Sequence, residues 1–279
     1  MNSDNTGISV LIRTLNSAKT LGKVLAALPL LECDELMIVD SGSTDDTLAI
    51  AQRHGARVIR PAGPFNYSKS LNVGFSAARN PWVLVLSSHS IPGSAETLGR
   101  LRSAAVESAP SIAVVYGQLG LCKPPDTDSA PEHIDKASWE RTRRQPGGNG
   151  MGLYRRVCWE EHPFDETLNT AEDLEWFFWA LDRGYSAMRV PQAWALYRNQ
   201  GSLCYMFHKG KVERIQAQTL IKSHGPPPRR AAEVWALLVC GGSLCKKMLL
   251  GRIPPGTFLR QMAHALGAYA AGWEVAKRQ

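Results

Sequence analysis

The sequence predicts an α/β protein: a mostly parallel central sheet with helices on both faces, followed by a basic, amphipathic helical extension. Three observations predict it. The first sixty residues alternate apolar runs of strand length with stretches of helical spacing, joined by short links. Residues 36–39, Leu-Met-Ile-Val, form a continuous apolar run, the pattern of a parallel strand covered on both faces. Finally, Pro226-Pro227-Pro228 breaks the chain ahead of two strongly apolar helical stretches. The expected division is a domain over 1–221 and an extension over 222–279.

Residues 8–12 are the first strand. Ser17 then caps a helix whose apolar positions Leu21, Val24, Leu25 and Leu28 follow helical spacing. The strand at 36–39 ends in Asp40, at the carboxyl end where open α/β sheets bind their ligands. After the turn Ser41-Gly42, Ser43 or Thr44 is expected to cap a helix reaching His54, with Asp45 and Asp46 in its first turn. Gly55 ends that helix, and residues 57–59 are a third strand. This β-α-β-α-β order gives parallel strands. No GxGxxG follows the first strand, which disfavours a dinucleotide-binding domain.

A loop and helix over 65–78, a strand over 82–86 and a helix over 94–108 follow. A strand at 112–116 comes next, then a polar, proline-bearing loop with a short helix over 123–146. Gly147-Gly148-Asn149-Gly150 is a junction where backbone can approach a ligand closely. Glu172-Asp173 opens a helix closed by Gly184, and 186–190 is a strand. Beyond 202 the pattern is helical.

The chain has 279 residues, 44% of them hydrophobic, with a formal charge of +7. That suits an anionic partner, a nucleotide diphosphate or a lipid headgroup. From Lys222 onward nine Lys or Arg stand against two Glu. The basic tail has no recognisable reading module, so nucleic acid is not an expected partner. Six scattered cysteines have no zinc spacing and read as reduced thiols of a cytoplasmic protein. Neither a signal peptide nor a membrane-spanning segment is expected.

Three polar clusters fall at or just after predicted strand ends: Asp40, the turn Ser87–Ser90, and Glu172-Asp173. With them the sequence resembles the family 2 glycosyltransferases of the GT-A fold. ISVLIRTLN is similar to the family's opening strand and nucleotide loop, VDSGSTDDT to its most recognisable motif, and SKSLNVGFSAARN to its N-x-G-x-x-x-A-R-N segment. GGNGMGLYRR, PFDETL and AEDLEWFFWALDRGY resemble its acceptor-side block. These motifs, occurring together and in the family's order, make the signal specific.

The resemblance implies inverting transfer of a sugar from a nucleotide-diphosphate donor to a glycan or lipid-linked acceptor. Asp40 would bind the base or ribose, with Thr14, Asn16, Ser41 and Gly42 in the same pocket. Lys69, Asn72 and Arg79 would serve the base or diphosphate, with Ser88 and His89 beside them. Asp173 would be the general base and Glu172 its partner, while Gly148, Asn149 and Trp176 would meet the acceptor. The family's usual Asp-x-Asp, which holds a divalent cation (Mn²⁺ or Mg²⁺), is replaced here by Ser87-Ser88-His89. Three readings stand open: His89 is a lone metal ligand, His89 with basic side chains replaces the metal, or activity is lost. The last corresponds to a silent nucleotide-sugar-binding or scaffold subunit of a polysaccharide-assembly complex. A nucleotidyltransferase would want a glycine- and lysine-rich loop after the first strand, and Arg13 to Ser17 has none. For the tail, residues 230–279, two readings stand equal: helices packed on protein, in a homodimer for example, or a hairpin on the cytoplasmic face of an anionic membrane.

Overall fold

In the computed structural model, residues 6–120, 125, 127–142, 148–168 and 170–198 are described, with a few isolated positions beyond. The chain divides into two compact units, Met1–Arg198 and Asn199–Gln279. The expected boundary at 221/222 and nearly all of the apolar basic tail lie outside the described residues. Among the described residues no helix is long and apolar enough to cross a membrane.

The first unit is built in the order β1 (Ile8–Thr14), α1 (Ala18–Ala26), β2 (Glu35–Asp40), α2 (Thr47–Arg53), β3 (Arg57–Ile59), α3 (Tyr67–Ala77), β4 (Trp82–Ser87), β5 (Ser90–Pro92) and α4 (Thr97–Glu107). There follow β6 (Ile112–Gly120), β7 (Glu132–Ile134), α5 (Lys136–Thr142), β8 (Met151–Arg155), α6 (Arg156–Glu161), α7 (Glu172–Asp182) and β9 (Ser186–Tyr197). One sheet carries the strands in the order β3-β2-β1-β4-β8-β6-β9-β5, with β7 paired to β9. It is parallel from β3 to β4, where the β-α-β alternation demands it. Beyond β4 it is mixed: β8 runs antiparallel to both β4 and β6, β6 and β9 are parallel, and β5 and β7 run antiparallel to β9.

Alternation along the strands sorts the side chains onto two layers. Ile8, Val10 and Ile12 of β1 and Ile38 of β2 pack with Leu84, Leu86 and Leu153 under Leu21, Val24 and Leu25 of α1 and Leu98 and Leu101 of α4. The opposite face of β1 presents Leu11, on which α3 lies so closely that a Cβ at Gly74 would overlap the Leu11 side chain. On that face Phe75, Tyr154, Trp159, Phe164 and Trp176 form an aromatic layer with edge-on and tilted contacts between 5.2 and 6.1 Å.

Two capping details differ from the sequence reading. Ser17 stands at the cap position of α1, yet its hydroxyl turns to Leu15 O and Ser88 Oγ instead of capping. Helix α2 begins only after Asp46. Ser43 is drawn away from capping by Asp40, and Asp45 instead accepts from Thr47 N and Thr47 Oγ1 ahead of the helix. The strands β5 and β8 and the helix α6 were not expected. The region expected to be a loop over 123–146 contains β7 as well as the short helix α5.

Candidate active site

The carboxyl edge of β1, β2 and β4 carries the donor-side motifs. Asp40, at the end of β2, is 1% exposed and accepts four hydrogen bonds: from Thr14 Oγ1 (2.8 Å), Gly42 N (3.0 Å), Ser43 N (2.9 Å) and Ser43 Oγ (2.5 Å). Burial alone would raise its pKa. The donors from Ser43, Thr14 and Gly42 outweigh burial and hold it below the ordinary carboxylate range. Asp40 is therefore the knot of its own loop, and its carboxylate has little left to offer a ligand. Thr14 serves that knot. Gly42 takes a positive φ of 98° that a side chain would resist. Asn16, also at positive φ (49°), joins the two loops, accepting from Thr44 N at 2.8 Å and donating its own N–H to Ser43 Oγ at 2.9 Å. Ser41 donates its N–H to Thr14 O, and its buried hydroxyl has no partner among the described residues.

The other half of the site is built on the aromatic face. Arg13, next to last in β1, donates to Glu172 Oε1 (3.0 Å) and to Tyr67 O (3.1 Å), and its guanidinium lies 4.9 Å from the Tyr67 ring centre. This ion pair brings the N-terminus of α7 to the same sheet edge as Asp40. Glu172 Oε1 also accepts from Asn149 Nδ2 (3.0 Å), whose Oδ1 accepts from the buried Tyr154 hydroxyl (2.9 Å). Beside this chain sits Asp173. Its Oδ2 accepts from Asn149 N (3.0 Å) and its Oδ1 from Leu174 N (2.9 Å). The carboxylate presses so closely on Gly148 that any Cβ there would overlap it. Burial, reinforced by the neighbouring Glu172 charge, pushes the Asp173 carboxyl up to about 6 against the pull of Asn149 N–H and Arg13. The residue before this pair, Ala171, is held at φ 62°, a strained conformation for a side-chain-bearing residue. Gly150 O accepts from Ser87 N (3.2 Å), so this junction also adjoins the end of β4.

Several expected site residues do other work. Asn72 has both donor and both acceptor positions of its amide occupied, by Phe164 O, Glu166 Oε1, Trp159 Nε1 and Phe164 N. It ties α3 to the segment before α7 and has nothing left for a nucleotide. Arg79 is exposed and lies at the amino edge of the sheet, where its N–H meets Glu35 at the start of β2. It is the length of a strand away from Asp40. Trp176 is fully buried and donates to His162 O (2.9 Å), so it packs in the core and does not face an acceptor. The Asn149 side chain is spent between Glu172 and Tyr154, leaving its N–H as the group that bears on the site. Glu172 is a buried ion-pair partner, 4% exposed, and acts on Asp173 through charge. Lys69 remains at the donor edge, with its Nζ beside Gly63 in the loop after β3.

Arg13, Tyr67 and Tyr154 escaped the sequence reading. A signal for Arg13 exists: it is a charged residue next to the end of an otherwise buried strand.

The turn after β4 does not fit a divalent cation. Ser87 Oγ accepts from His89 N (3.3 Å), Ser88 Oγ is 3.0 Å from Ser17 Oγ, and His89 Nδ1 is 3.2 Å from Thr20 Oγ1. Serine hydroxyls are poor ligands for Mg²⁺ or Mn²⁺, and this turn holds a single imidazole and no carboxylate. Among the described residues no group of three or more His, Cys, Asp or Glu is arranged to hold a metal.

The sequence model described as Glycosyl transferase family 2 matches residues 9–159, more than half of the chain. The chain belongs to this family. Its family 2 segment runs from β1 into α6, covering the Asp40 loop, the turn after β4 and the Gly148–Gly150 junction. Curated relatives include an uncharacterized glycosyltransferase of Mycobacterium tuberculosis, 38% identical over 79 residues, 28% of this chain and 35% of that protein. A PGL/p-HBAD biosynthesis glycosyltransferase of Mycobacterium bovis is 35% identical over 119 residues, 40% of this chain and 46% of that protein. The matches thus span about a third to a half of these relatives' length.

Among solved structures, a mannosyltransferase from Pyrobaculum calidifontis in complex with GDP-Man and Mn²⁺ is similar with a TM-score of 0.64. It is 16% identical, over 96% of this chain and 87% of that one. Glucosyl-3-phosphoglycerate synthase from Mycobacterium tuberculosis, in complex with Mn²⁺, UDP-Glc and phosphoglyceric acid, has a TM-score of 0.61. It is 22% identical, over 80% of this chain and 82% of that one. These likenesses establish the GT-A type of fold.

Proposed function

We propose that this chain transfers a sugar from a nucleoside-diphosphate donor to a hydroxyl of a glycan or lipid-linked acceptor, with inversion at the anomeric carbon and Asp173 as general base. The observation that carries the reading is the Arg13–Glu172 ion pair, which puts Asp173 at the same sheet edge as the donor-side loops. The donor meets the Ser41–Gly42 turn, Asn16 and Lys69. An acceptor hydroxyl bound against Gly148 attacks the anomeric carbon as its proton passes to Asp173. The new C–O bond forms as the sugar–phosphate bond breaks, and the nucleoside diphosphate leaves with the electron pair. A carboxyl raised to about 6 suits this work, since a general base is most effective when its pKa lies near the working pH.

Asp173→Asn tests the reading. It removes the base but keeps the shape, and kcat falls by about 10²–10⁴-fold while donor affinity stays within about twofold. Unaltered transfer by the variant would refute the assignment. In the parent enzyme kcat/KM rises with pH through about 6 and levels above it, because only the deprotonated carboxylate accepts the proton. The stability signature runs the other way. The folded pKa lies above the unfolded one, so the folded state binds more protons between 3.8 and about 6 and loses stability as pH rises through that window. Asp173→Asn therefore stabilises the fold at pH 8, by on the order of 2 kcal/mol.

A further inference from the structure

The donor edge must meet the charge of a diphosphate, and the turn after β4 brings only one imidazole to it. The chain nevertheless places another cation there. Arg198 follows β9 directly, and its N–H donates to His89 O at 2.8 Å. That bond continues the antiparallel register in which Ser90 faces Tyr197, so Arg198 lies directly opposite His89. Opposed residues of this kind hold their Cα atoms about 5.5 Å apart. Arg13, Arg57, Arg102 and Arg189 all pair with carboxylates. Arg198 has no carboxylate partner among the described residues. Neither does Lys69, whose Nζ lies by the loop after β3. The one acid on the adjacent strand ends, Asp40, is held by four donors of its own loop. Among the described residues, Arg198 and Lys69 thus bring positive charge with no carboxylate partner to this edge, while the nearby Glu172 is taken by Arg13, an arrangement that suits an anion.

We propose that Arg198, beside His89, grips the donor's diphosphate directly, so that nucleoside diphosphate binding to this chain needs no divalent cation. This rests on the donor reading above. A guanidinium offers parallel N–H donors that match phosphate oxygens, and it carries the same sign of charge a metal would bring.

The test is calorimetric titration of the full chain with UDP, GDP, CDP and dTDP, each in EDTA and in Mn²⁺. One of these binds in EDTA with a Kd within about threefold of its value in Mn²⁺. Arg198→Gln weakens that binding by about tenfold or more, the loss expected for one charge-assisted hydrogen bond. Arg198→Lys weakens it less. Arg53→Gln, which removes an exposed charge from α2, leaves it unchanged, and the unfolding midpoint of Arg198→Gln matches the parent. Binding that appears only with Mn²⁺ overturns the proposal and leaves the donor reading standing. That comparison needs no variant, so a misfolded Arg198→Gln does not blunt it. Binding in EDTA that Arg198→Gln leaves within twofold also overturns the role of Arg198. No binding of any nucleotide by the folded chain overturns both readings.

Discussion

Two aspartates of this fold, a few residues from the same sheet edge, are driven in opposite directions. Asp40 accepts four hydrogen bonds and is held below the ordinary range, whereas Asp173 accepts two backbone N–H groups beside another acid and is raised to about 6. Burial acts upward on both. What differs is the number of donors turned toward the carboxylate and, at Asp173 alone, the charge of the neighbouring Glu172. A residue can thus end a strand with a recognisable motif and still be scaffold, while a carboxylate left short of donors is the one prepared to take a proton.

That contrast can be broken at its strongest point first. Arg13→Met leaves Glu172 buried beside Asp173 without its partner, and destabilises the chain by about 3–5 kcal/mol in urea titrations. A cost under 1 kcal/mol would show the ion pair to be dispensable. Next, Gly148→Ala forces the Asp173 carboxylate off its seat. Transfer falls by about a hundredfold, as misplacement of a reacting group by an ångström does, with donor affinity kept. On the other aspartate, Thr14→Val removes one donor to Asp40 at a cost of about 1 kcal/mol at pH 7. A lowered folded pKa contributes stability that is lost as pH falls through it, so this variant also narrows the acid range that depends on Asp40. The smallest effect is none. Arg79→Ala, at the far edge of the sheet, leaves nucleotide affinity within twofold, and a larger loss would contradict its position.

The parallel half of the sheet was legible because β1, β2 and β4 are covered on both faces and α1 has its own apolar stripe. The β-α-β order follows from those two periods alone. The mixed half was harder to read. β5 spans three residues and contains Pro92, and β8 begins straight after Gly148-Asn149-Gly150 and carries Gly152, so neither shows the composition of a strand. β8 exists because β4 and β6 take up its backbone groups on either side, and β5 because β9 takes up its backbone groups at the sheet edge. At the site, the positions of Asp40 and Asp173 were readable from motif and strand end, and a base role for Asp173 from the family resemblance, but not the four donors that hold Asp40 nor the burial that raises Asp173. Nothing in the string Asn72 or Trp176 reveals that the amide is saturated by the segment before α7, or that the indole is buried in an aromatic layer. Arg13 fell just past the expected strand at 8–12 and drew no role, because its partner Glu172 stands 159 residues away.

The amides of α3 also bear on motion. Asn66 donates to Glu166 O and Leu168 O, and Asn72 holds Phe164 and Glu166, so two side chains one and a half turns apart rivet α3 to the segment that feeds α7. α3 and α7 are thereby mounted on one plate. The gap between the two halves of the site is held fixed, and in the proposed reaction an acceptor hydroxyl would have to reach across it. In hydrogen exchange the amides of 164–168 and those of α3 are expected to open together, as one cooperative unit.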